Sequence, residues 1–77
     1  MGLNDDNYDY FAMIHHLFHH CLADLDEWGE RFIKSQYAKN VLPFVERKEK
    51  PTMQEMNEFL SSKEKSSIRG VWNSVGL

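Results

Sequence analysis

The chain has 77 residues, one cysteine, 13% aromatic residues and a net charge of −3. That length leaves room for one domain, a lone cysteine excludes an internal disulfide, and the absence of paired cysteine motifs argues against structural zinc. No apolar run approaches the ~20 residues of a membrane span, so no membrane partner is expected.

A domain this small buries only about 60% of its unfolded surface, which makes association with a second copy the expected source of further burial. The start, "MGLNDDNYDY", is acidic and lacks the basic opening of a signal peptide. With a single thiol, that places the expected location in the cytoplasm. Charge is uneven along the chain. Residues 1–34 carry seven acids and two bases, whereas residues 35–77 carry seven bases and five acids. An acidic first half and a mildly basic second half suggest two different tasks.

In chain order, residues 1–7 are polar and expected to be disordered, with Asp6 or Asn7 as the cap of the first helix. Phe11, Ile14, Phe18, Cys21, Leu25, Trp28 and Phe32 then recur at alternating spacings of three and four. Such a heptad seam predicts one long amphipathic helix over residues 8–31, ending near Gly29. A second helix is predicted over 35–48, with Ser35 as its cap and Tyr37, Val41, Phe44 and Val45 inside. Pro43 must either kink it or open a separate short helix. "ERKEKP" reads as a solvated turn. The stretch 52–77 opens on Thr52 and Glu55, three apart, the signature of a capping box. Met53, Met56, Phe59 and Leu60 form the apolar face of that helix. "SSKEKSS" is a polar turn. A last helix carries Ile68, Val71, Trp72 and Val75 inward and stops at Gly76. No stretch alternates as a strand would, and no repeat occurs. The expected fold is all-α: a small bundle of about four helices, with a long N-terminal helix and a C-terminal helix-turn-helix, in one domain over 1–77.

The stretch "IHHLFHHC" invites a metal reading. On an ideal helix, His16, His20 and Asp24 form an i, i+4, i+8 ridge on the side away from the seam, and His15 and His19 form a second pair. Zinc takes three or four ligands, which one helix rarely supplies. Cys21 falls on the seam and reads as a small apolar core residue. The expectation is solvated or interface histidines, with no cofactor and no structural metal. Were a metal held, His16, His20 and Asp24 would be its ligands.

The seam can pack on the chain's own helices, on a second copy or on another protein. Homodimerisation through Phe11, Ile14, Phe18, Cys21, Leu25, Trp28 and Phe32 is the expected use. The last two helices, as a helix-turn-helix, would present Ser66, Ser67, Arg69 and Asn73 outward, with Lys63 and Lys65 nearby. Those residue types suit DNA: Arg reads guanine, Asn reads adenine, and Ser and Lys hold phosphates.

The order of pieces resembles the first half of the multiple-antibiotic-resistance regulator (MarR) family and its SarA-like relatives. A long first helix leads to "SQYAKNVLPFVERKEK", then "PTMQEMNEFL" as the first helix of the motif and "SSIRGVWNSVGL" as its recognition helix. The resemblance covers roughly residues 8–77. It implies a homodimeric transcriptional regulator on a pseudo-palindromic operator, with a two-stranded wing after the recognition helix. Leu77 falls where the wing would begin, so the expected form is wingless. Ile33 stands near the place where the family often has a polar cap, and Pro43 lies inside the family's second helix.

No Ser/His/Asp or Cys/His arrangement, Gly-rich phosphate loop or paired carboxylate is recognisable, so no enzyme is expected. The sequence points to a small helix-turn-helix transcription regulator binding DNA as a homodimer. The alternative is a DNA-independent regulator docking on a protein such as a repressor, as an antirepressor does.

Overall fold

The computed structural model describes residues 8–75. The expected disorder of 1–7, the caps Asp6 and Asn7, and the stop at Gly76 lie outside them. The described residues form four helices and no strand. Helix α1 covers residues 10–24, α2 residues 27–46, α3 Met53–Phe59 and α4 Ser62–Ser74.

The predicted 8–31 helix is two helices. Asp9 caps α1, its Oδ1 accepting the Ala12 N–H at 3.1 Å. The helix runs Tyr10–His16, loosens into a π turn at Leu17–Cys21 and tightens into a 3-10 turn at Leu22–Asp24. Leu25 is extended and Asp26 caps the next helix, its Oδ1 accepting the Gly29 N–H at 2.7 Å. Gly29 is therefore in the first turn of α2, not at the end of α1. A Cβ there would stand 3.0 Å from that Asp26 oxygen. The physical reason for the break is burial. A straight helix of that length would leave its seam facing solvent, whereas folding back sets Leu17 and Cys21 of α1 against Ile33 of α2.

Helix α2 consequently replaces the predicted 35–48 helix. Ser35 is an exposed residue within it, not its cap. Pro43 takes the second of its two expected places, in the first turn of a short α-helical stretch. A second π turn, Tyr37–Val41, precedes the proline, and the Leu42 N–H reaches back five residues to the Tyr37 carbonyl. Pro43 then sits at the start of the last α-helical stretch, Leu42–Glu46, where a missing N–H matters least. The helix ends in a Schellman arrangement: Glu49 N–H to Phe44 O at 2.9 Å and Lys48 N–H to Val45 O at 3.0 Å. Lys48 occupies the left-handed position at φ 57°, where an L side chain is strained by about 1 kcal/mol or more. Lys48→Gly should stabilise the fold by roughly that amount, raising Tm by about 4–8 °C in a domain of this size. A calorimetric scan showing no rise would place the strain elsewhere.

Both later helices open on capping boxes. Thr52 and Glu55 exchange bonds of 2.9 and 3.1 Å as predicted, and Ser61 and Glu64 do the same at α4. Only Leu60 and Ser61 separate α3 from α4. The larger core cluster joins Tyr10, Phe11, Met13 and Ile14 to Tyr37, Val41, Met56, Leu60 and Ile68. The smaller one joins Leu17, Cys21, Ile33 and Val71. Cys21 behaves as the apolar residue its seam position implies. Several expected core residues lie outside, among them Val45, Met53 and Phe59. Phe59 stacks on half-buried Phe44 at the surface, with centroids 5.8 Å apart.

Candidate functional site

The hairpin between α1 and α2 redistributes the seam. Phe11, Ile14 and Cys21 lie in the chain's own core, and Phe18 stacks face to face on Tyr37 at 3.9 Å. The α1–α2 corner stays outside: half-buried Leu25 and Phe32, and Trp28, which is 58% exposed. The Trp28 indole lies flat on Phe32 with centroids 5.1 Å apart. A self-interface spanning all seven seam residues is not available on this surface.

Helix α4 divides its predicted contact residues between two sides. Lys63, Ser66 and Asn73 are exposed and Ser67 is half-buried on an outer stripe that also includes Gly70 and Ser74. Positions 65 and 69 fall on another side. Lys65 is half-buried, its Nζ 3.5 Å from Asn57 Oδ1. Arg69 does not point outward as expected. Its Nη1 donates to the Tyr10 hydroxyl at 2.7 Å and its guanidinium lies 5.6 Å from the Tyr8 ring centre. A guanidinium engaged with the first turn of α1 positions α4. Reading a base would require it to leave those partners.

Between the corner and the stripe runs a groove of about 480 Å³. Asp24, Leu25, Asp26, Trp28 and Gly29 form one wall, and Ser67, Gly70, Val71 and Ser74 the other. A side chain built on Gly70 would meet nothing within 4 Å, so this wall is open to close approach. Sequence periodicity misses the groove, because it places Asp24 to Asp26 in a helix interior. A signal is present all the same: Asp26 followed by Glu27 and Glu30, a capping residue and acids in the first turn, is a helix start.

Helix α4 is fixed to α2 by a polar chain. Asn40 Nδ2 donates to Gln36 Oε1 at 2.7 Å, and Gln36 Nε2 donates to Glu64 Oε2 at 2.8 Å. Lys39 Nζ reaches the same oxygen at 3.1 Å. Hydrogen bonds from Gln36 and Ser61, with Lys39 adding its charge, hold the Glu64 carboxyl down to about 2. This acid is thereby turned from the outer stripe.

The histidines divide as well. His15 and His16 are half-buried and His19 and His20 exposed. Ring centroids are 4.4 Å apart for His15 and His19 and 4.9 Å for His16 and His20. His19 Nε2 lies 3.2 Å from the Tyr37 hydroxyl, and His16 meets the edge of Trp72 at 5.7 Å. Burial, then the positive neighbours His19, His20 and His16, lower the His15 pKa below 6.5. His16, His20 and Asp24 do not converge, and no other set of three His, Cys, Asp or Glu side chains does so among the described residues. The irregular winding is the reason: the π turn Leu17–Cys21 and the 3-10 turn Leu22–Asp24 change the number of residues per turn, so Asp24 leaves the ridge that an ideal α-helix would make.

Comparison with protein-family models, curated proteins and solved structures gives no match. The MarR-like pattern is thus a resemblance of order and spacing alone. No helix among the described residues is long and apolar enough to cross a membrane.

Proposed function

We propose that this chain is a non-catalytic cytoplasmic regulator that docks on a protein partner through the groove between the α1–α2 corner and α4. The observation that carries it is Trp28, exposed and stacked on Phe32 at the lip of an open groove. Exposed tryptophans beside a pocket are the side chains that most often dominate binding energy. The opposite wall of small residues admits a helix or strand backbone at close range. Electrostatics favours protein over DNA here. Asp24 and Asp26 line the groove beside the C-terminal part of the α4 stripe, where a phosphate backbone would be repelled. The helix's one arginine is engaged with Tyr10.

The exposure of Lys63, Ser66 and Asn73 favours a second reading, DNA binding by the same stripe. In that reading a homodimer would set two α4 helices into successive major grooves. One set of variants separates the two. Under the protein reading, immobilised wild-type chain retains a partner from lysate of its source, and Trp28→Ala loses it by at least about tenfold, the scale of a 1.4 kcal/mol contact. Random duplexes at about 50 mM salt stay unbound. Retention of duplex that Lys63→Ala weakens and Trp28→Ala leaves intact would overturn it in favour of DNA. Sedimentation at about 100 μM tests the remaining occupant, a second copy. A dimer that Trp28→Glu dissociates would assign the groove to self-association.

A further inference from the structure

The second groove, about 460 Å³, lies on the other side of α1, with Phe11, Trp72, His16, His20 and Lys50 among its lining. It is independent of the docking site. His16 and His20 stand four residues apart across the π turn, with ring centres 4.9 Å apart and planes inclined by 39°. Neither ring has a hydrogen bond or ion pair among the described residues.

Spacing suits this pair to a metal ion, and the lack of a hydrogen-bond partner sets it apart from the other. An ion bound to imidazole nitrogens at about 2.0–2.1 Å lies about 3.2 Å from each ring centre, so N–metal–N angles of about 90–109° separate the centres by about 4.5–5.2 Å. His16 and His20 fall inside that interval. His15 and His19, at 4.4 Å, stand at the edge of it, but the His19 Nε2 is already engaged 3.2 Å from the Tyr37 hydroxyl. We propose that His16 and His20 form a two-ligand clamp for a divalent ion of the copper, nickel and zinc class, for which imidazole is a suitable donor.

No third protein ligand converges on the pair among the described residues. The remaining coordination positions are therefore open to water or an outside donor, and the ion is exchangeable, not structural. Lys50, a charge of the same sign as the ion, lines the same groove. Its Nζ is 3.5 Å from Asp9 Oδ2, and that carboxylate offsets the ammonium. His16 also meets the Trp72 ring edge at 5.7 Å. An ion on the clamp consequently lies close to an indole on α4, which supplies a direct readout.

The test titrates Cu²⁺, Ni²⁺ and Zn²⁺ separately into the full chain carrying Trp28→Phe, so that Trp72 is the sole indole. Saturable quenching of Trp72 emission at one equivalent of Cu²⁺ is expected, with weaker binding of Ni²⁺ and Zn²⁺ in the general divalent order. A chelator should restore the emission and leave Tm at its metal-free value. His20→Gln, at an exposed position, should weaken Cu²⁺ by at least about tenfold with an unchanged helical spectrum, while His19→Gln should not. Absence of saturable quenching at ~100 μM ion, or quenching that survives His20→Gln, would overturn the clamp. So would loss through His19→Gln, which moves the site to the other pair, or unfolding on chelation, which makes the metal structural.

Discussion

Ile33→Ala should cost about 2–5 kcal/mol, against a total stability of roughly 4–12 kcal/mol for a domain of 77 residues. Ile33 is fully buried and belongs to the cluster with Leu17, Cys21 and Val71, so it is where α1, α2 and α4 meet. A void there has helices on three sides and cannot close by moving one side chain. Ile33→Val, which deletes one methylene, should cost only about 0.5–1.5 kcal/mol. Urea titration measures both, with the midpoint falling and the slope unchanged if the native fold persists. The result also separates two architectures. On a straight 8–31 helix, Ile33 is off the apolar seam and beyond the helix end, and its truncation would cost little. Equal midpoints for Ile33→Ala and wild type would restore that straight helix and remove the hairpin.

The contributions legible in the sequence are the local ones. The Thr52–Glu55 capping box is a four-residue matter, and the structure has it. The all-α class comes from spacings of three and four throughout and from the absence of alternation. The break at Leu25 is different. The 3,4 spacing passes through Leu25 and Trp28 without interruption, so periodicity favours a continuous helix. Burial of Leu17 and Cys21 against Ile33 favours a hairpin, and that gain appears only when the chain has folded back. Asp26 tips the balance because it caps a new helix at the place where the seam must turn. The two π turns are illegible for a related reason. A π turn adds a residue without changing the pattern of residue types, so every face assigned beyond Leu17 is rotated from the ideal wheel. That rotation moves Asp24 away from His16 and His20. Arg69 shows the same limit. Its type and neighbours suit a recognition helix, but Tyr10, 59 residues earlier, supplies the partner that holds it.

Glu64 makes the second large effect. Its side chain closes the cap of α4 with Ser61 and accepts from Gln36 and Lys39, joining the second and fourth helices. The carboxyl is held at about 2 in the fold against an ordinary 4.5. Between those values the unfolded chain binds more protons than the folded one, so stability rises with pH through that window. The contribution is fully present above about pH 4.5 and is lost as pH falls toward 2. A shift of this size corresponds to at most about 3 kcal/mol. Glu64→Gln keeps a side chain able to complete the capping box and removes the charge. It should weaken the fold at pH 7 and flatten the loss of stability between pH 4.5 and 2. Glu64→Ala should cost more, about 2–4 kcal/mol, because it also removes the cap and leaves the amide of buried Gln36 without its acceptor. Gln36→Ala should cost less in that background than in the wild type, because the Gln36–Glu64 bond is already broken, but the loss of the acceptor for buried Asn40 remains, at about 1–3 kcal/mol. Urea midpoints of the wild type and both variants at pH 7 and pH 3 decide the matter. If Glu64→Gln keeps the wild-type slope against pH, the acid sensitivity belongs to another carboxylate. The Asn40–Gln36–Glu64 chain would then join α2 to α4 without setting the response to acid.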